Sequence, residues 1–168
     1  MVDIQTVSIA IASASVVAGI IYYSLQIRHQ TKVRHSDLFM RFYSTWGSED
    51  INKAHRRLLA IKVEDYDGFV KKYGPIASEE TEPSQIYTDM DRIGWFFNVM
   101  GFLVKEKLVH IKLVDDLLGY WVIKAWETIK PLVYGWRKQY DIPESYHWFE
   151  YLYNEMKKRE QKLQQLKA

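Results

Sequence analysis

No cysteine occurs anywhere in the 168 residues, which excludes disulfides and thiolate chemistry and is compatible with a reducing compartment. Residues 4–27 contain no Asp, Glu, Lys, Arg or His. No apolar run alternates with polar residues at a period of two, so a strand pattern is missing, and no internal repeat is found. The catalytic signatures are missing too: no Gly-x-Ser-x-Gly elbow, no glycine loop to cradle phosphate, and no histidines at i, i+4 for a helical zinc site. These absences leave an all-helical protein for which no catalysis, metal or cofactor is expected.

What is present is organised around the charge-free opening. At about 1.5 Å of rise per residue, residues 4–27 reach roughly 36 Å as a helix, enough to cross a hydrocarbon core of about 30 Å. A single transmembrane helix is therefore predicted. Its rivals are a cleaved signal and the buried helix of a soluble protein. A cleaved signal needs a basic start and a short apolar run, whereas Met1, Val2 and Asp3 carry no base and the run continues past Ala12, Ser13 and Ala14. Arg28, Lys32, Arg34 and Arg41 follow the span and no Lys or Arg precedes it, so the positive-inside rule places the N-terminus outside and the body in the cytoplasm. Tyr22 and Tyr23 suit the interfacial belt on that side.

The remainder reads as one soluble domain. With 23 Lys and Arg against 21 Asp and Glu, a net charge of +2 gives no dense basic face, and no nucleic-acid partner is expected. Twelve Tyr and six Trp are read as large rings that close a small core. No Gly or Pro interrupts residues 24–46, so the first helix is predicted to continue to Gly47, where Ser48 starts the next. Ile51, Ala54, His55, Leu58 and Leu59 form a helical stripe to about residue 63. A short helix or turn at 64–75 and an acidic loop at 77–82 precede Pro83, which opens a buried helix at 84–105. A further helix at 114–134, with Leu117, Leu118, Trp121, Val122, Ala125 and Trp126 inward, is predicted to bend at Pro131. The last helix starts near Glu144 and runs into a polar tail. The expected organisation is an anchor at 1–30, a helical cytoplasmic domain at 31–156 and a tail at 157–168.

The order of short span, basic juxtamembrane helix, the block at residues 114–137 and the Trp-Phe-Glu-Tyr-Leu run at 148–152 resembles an uncharacterised prokaryotic family of single-span helical membrane proteins. The features that carry the resemblance are Asp115, Trp126, Pro131, Arg137, Phe149 and Glu150. Such families are described only as domains of unknown function. The resemblance implies the architecture and no activity.

Candidate sites follow from spacing. Ala10, Ala14 and Ala18 share a ridge of the span, with Ser15 and Gly19 beside them, which permits close packing with another membrane helix. Arg28, Lys32 and Arg34 can meet anionic headgroups. Arg137 and Glu150 flank the Pro143 connection and are predicted to pair. Trp95, Trp121 and Trp126 are candidates to line a pocket between aromatic helices. Glu144 and His147 have a ligand-like spacing but lack the second Glu-x-x-His that a di-iron bundle needs, and Asp65, Asp67 and Gly68 begin a calcium-like loop whose later ligands are replaced by Phe69, Val70 and lysines. Asp115 is read as a first-turn acid. The expected function is a membrane-tethered interaction module or accessory subunit, single-pass in the cell membrane, with a protein partner or self-association through the span. The alternative is a membrane-anchored sensor or ligand-binding domain.

Overall fold

The computed structural model describes residues 3–75 and 84–166, apart from the side chains of Thr6 and Ala10. The loop expected at 77–82, the helix-opening Pro83 and the Ala10 side chain of the small-residue ridge lie outside the described residues. Among the described residues there are six helices and no strand: α1 Ile4–Trp46, α2 Glu49–Ala60, α3 Tyr66–Tyr73, α4 Gln85–Lys105, α5 Ile111–Tyr140 and α6 His147–Gln165. The fold is all-α, a long apolar N-terminal helix followed by a helical bundle. The chain divides into two compact units, one comprising α1 as far as Leu38 and the other beginning at Phe39.

In the first unit Ile9, Ile20 and Ile21 are each more than half exposed. By length and composition α1 is the one helix among the described residues able to cross a membrane. Two of its hydroxyls are bonded within the helix. Ser8 donates to the Ile4 carbonyl at 3.0 Å and Ser15 to the Ile11 carbonyl at 2.9 Å, so neither hydroxyl needs water.

The second unit is built on α4, which packs against α2, α5 and α6. Ser48 caps α2, its hydroxyl accepting from the Ile51 N–H at 3.4 Å, and Ile51, Ala54, His55 and Leu58 turn inward while Leu59 sits at the margin. Asp65 caps α3 by accepting from the Gly68 N–H at 2.7 Å, which is the physical role of the carboxylate that opens the calcium-like run. On α4 every residue of the expected inward face, Ile86, Met90, Ile93, Phe97, Met100 and Val104, is buried. Phe149, Leu152 and Met156 of α6 complete the core.

Three expectations are corrected. Helix α5 begins at Ile111 with His110 as its cap and runs through Pro131 to Tyr140, longer at both ends than periodicity suggested. Its buried stripe is Val114, Leu118, Val122, Ala125, Ile129 and Val133. Leu117 and Trp121 stand one position before that stripe, about 100° around the helix, and are 45% and 36% exposed. Helix α6 begins at His147 because Tyr146 adopts a left-handed conformation, φ +54°, that ends the turn over residues 143–146.

Glycine decides how closely α4 and α6 approach. A Cβ on Gly101 would lie 2.0 Å from the Trp148 carbonyl oxygen, backbone that cannot swing aside.

Candidate functional site: an aromatic cleft framed by buried polar pairs

The polar side chains that α4 carries inward are each used to hold a neighbour. Asn98 sits mid-helix, and its Oδ1 accepts from the backbone N–H groups of Trp148 and Phe149, both at 3.1 Å. Those are unpaired donors of the first turn of α6, so the cap of α6 is supplied by another helix. Asp89 is fully buried and receives Arg57 in a two-pronged pair, Nε to Oδ2 at 2.6 Å and Nη2 to Oδ1 at 2.7 Å, with Gln85 adding a third bond at 3.1 Å. The fork geometry of guanidinium suits this, and it ties α2 to α4.

Arg137 and Glu150 meet. Nη1 of Arg137 donates to Oε2 of Glu150 at 2.6 Å, while Nε and Nη2 hold the Ser145 carbonyl at 3.0 and 2.8 Å. The Tyr134 hydroxyl donates to the other Glu150 oxygen at 2.6 Å. Burial alone would raise the Glu150 pKa, but the bonds from Tyr134 and Arg137 outweigh it and hold the carboxyl below its ordinary 4.5. Burial and the same carboxylate push the Tyr134 phenol up to about 12. Asp115 lies in the second turn of α5 rather than the first and pairs with Arg159 of α6 at 2.6 Å.

Above this network lies an open cleft of about 570 Å³ between α4, the end of α5 and the 141–146 link. Trp95 and Asp91 reach it from α4, Trp136 and Tyr140 from α5, and Tyr146 from the link. Gly94 leaves room for the Tyr146 ring, since a Cβ there would stand 2.5 Å from it. The Tyr146 hydroxyl donates to Asp91 Oδ1 at 2.6 Å, and its ring stacks on Trp136 with centroids 6.4 Å apart. Burial, reinforced by the Asp91 charge, raises the Tyr146 pKa, so the phenol stays a donor at neutral pH.

The three candidate tryptophans do not share this cleft. Trp95 lines it and is 60% exposed. Trp126 is fully buried against Phe149, and Trp121 sets its edge on His55 at 4.9 Å. His55 also meets Trp46 at 4.9 Å, its Nε2 is buried without a partner, and burial lowers its pKa. Glu144 and His147 stand 3.7 Å apart at the surface, and no group of metal-ligating residues gathers among the described residues. On α1, Ala14, Ser15 and Ala18 are exposed, and a Cβ on Gly19 would touch nothing. Arg28, Lys32 and Arg34 are exposed as well.

A domain of unknown function, DUF4760, matches residues 9–156. The chain belongs to this family. The DUF4760 match takes in most of α1, α2 to α5 and α6 as far as Met156, its last buried residue. No curated protein and no solved structure matches the chain.

Asp91, Trp136, Tyr140 and Tyr146 were not singled out by sequence reasoning. The one local signal was the pair Gly94 and Gly101, seven residues apart on an otherwise bulky helix, which marks a face where something approaches closely.

Proposed function

We propose that this DUF4760 chain is a membrane-tethered helical interaction module: a single pass in a prokaryotic cell membrane, N-terminus outside, holding a cytoplasmic bundle that binds a protein partner or serves as an accessory subunit of a membrane complex, without catalysis of its own. The observation that carries this reading is the stretch at residues 4–27, free of Asp, Glu, Lys, Arg and His, on a helix whose most apolar window has no buried residue. The family match supports it by including residues 9–46 of α1 in the same domain as the bundle. Arg28, Lys32 and Arg34 supply the charge asymmetry that sets orientation and can touch anionic headgroups.

The cysteine-free chain is a ready background for testing orientation. With single cysteines at Asp3→Cys or Lys138→Cys, an impermeant maleimide added to intact cells should label the first and spare the second. Labelling of Lys138→Cys alone would reverse the orientation. The partner is sought by pull-down of the full chain from detergent beside a version lacking residues 1–30. A membrane protein recovered with the full chain is the expected result, and recovery of none by either form would remove the interaction reading.

A second reading, a membrane-anchored ligand-binding or sensor domain, is favoured by the cleft beside Trp95 and Trp136, whose volume of about 570 Å³ falls within the range of small-molecule sites. Equilibrium dialysis of the full chain against a cell-extract metabolite pool tests it. Retention of a small molecule by the native chain and its loss in Trp95→Ala is the expected pattern, and retention of nothing rejects it.

A further inference from the structure

The cleft combines two features that together select a ligand class. Its lining is aromatic, with Trp95 and Tyr140 exposed beside Tyr146 and the buried Trp136 stacked behind Tyr146, and its charged groups are the carboxylates of Asp91 and Glu144. Among the described residues no Lys, Arg or His lines it. Arg137, next in sequence to Trp136, turns its guanidinium to the Ser145 carbonyl and to Glu150. Ring faces carry negative electrostatic potential, so aromatic walls with carboxylates at the mouth attract a cation and repel an anion. The walls are also held in place before any ligand arrives. Tyr146 is kept in its left-handed conformation at φ +54° by the Asp91 bond, by stacking on Trp136 and by the space at Gly94. A non-glycine residue held in that region by three separate contacts is pre-organised, which lowers the ordering cost of binding.

We propose that this cleft binds a small organic cation bearing a quaternary ammonium group, with Trp95, Tyr140 and Tyr146 around the methyl groups and Asp91 and Glu144 balancing the charge. The inference rests on the ligand-binding reading above and adds the ligand's chemistry. A bulky ammonium is favoured over a metal ion because the walls offer rings rather than converging oxygens, and over a neutral hydrophobe because the rim carries two acids.

Choline is the probe, and its carbon isostere 3,3-dimethylbutan-1-ol, identical in shape but uncharged, is the control. Calorimetry on the full chain in phosphatidylglycerol nanodiscs should show saturable choline binding with a Kd of about 1 mM or tighter, and binding of the isostere at least about tenfold weaker. Trp95→Ala should weaken choline at least about tenfold. That side chain is 60% exposed, so its removal leaves the core intact, and an unchanged circular dichroism melt checks this. Adding phosphatidylcholine to the disc separates two sources of the same headgroup: competition with choline assigns the cleft to a lipid, and no competition to a free solute. Equal binding of choline and isostere would overturn the cation while leaving a ligand cleft. Absence of choline binding, or full binding by Trp95→Ala, would overturn the inference even where dialysis retains another molecule.

Discussion

Asn98 shows how much a single side chain decides in this bundle. Its Oδ1 satisfies two donors of the first turn of α6 from a position in the middle of α4. Asn98→Ala should cost about 1–2 kcal/mol, read as a lowered urea midpoint with an unchanged slope, whereas Asn98→Asp keeps the acceptor and should lose less. Two titrating groups set the acid response. His55 has a lowered pKa through burial, so the unfolded chain takes the proton first, and stability present above about pH 6.5 is lost as pH falls below it. His55→Phe, which also removes the unpartnered Nε2, should flatten the stability profile between about pH 7 and pH 5. Glu150 has its pKa held down, so its contribution is complete above its ordinary 4.5 and disappears as pH falls through the lower folded value. Glu150→Gln should therefore be less stable than the native chain at neutral pH and converge with it in stronger acid. Parallel profiles down to the acid limit would contradict that assignment.

Helices follow from periodicity where the periodicity is long, and the exceptions have identifiable causes. The inward face of α4 was readable in full because its apolar residues recur at helical spacing from Ile86 to Val104 with no competing signal. The start of α6 was not, since Glu144 is a good first-turn residue, and the left-handed Tyr146 together with the cap from Asn98, distant in sequence, moves the boundary to His147. Leu117 and Trp121 were placed inward because apolar side chains lie on more of α5 than its neighbours cover. The pairing of Arg137 with Glu150 could be read from their positions across one short connection. Arg57 with Asp89 could not, because α3 lies between their helices, and Arg159 with Asp115 could not, because they stand at the far ends of α5 and α6, 44 residues apart in sequence. The cleft was half legible: Trp95 was a candidate, but its companions depend on the left-handed turn at Tyr146. At this scale Gly101→Ala is the sharp test. The Cβ meets the Trp148 backbone, so α4 and α6 must separate, costing about 1–3 kcal/mol in thermal or urea unfolding. Gly19→Ile, where a side chain meets open space, should leave the helix content of the detergent-solubilised chain unchanged. If the span packs through Ala14, Ser15 and Ala18, it should also abolish crosslinked dimers.

For the whole molecule, what matters is the solvent that covers α1. The second unit has its own core, with Phe39, Trp126, Phe97 and Phe149 among others. Side chains such as Ile9, Val16 and Ile20, each more than 60% exposed, would otherwise stand in water on a continuous apolar surface. In the proposed membrane setting lipid would remove that cost, and the Ser8 and Ser15 hydroxyls are already bonded to carbonyls of their own helix. The most direct measurement is alkaline carbonate extraction of membranes from cells making the full chain, beside the chain lacking residues 1–30. The account predicts that the full chain stays in the membrane pellet and the shortened one moves to the supernatant. Recovery of the full chain in the supernatant without detergent would contradict it.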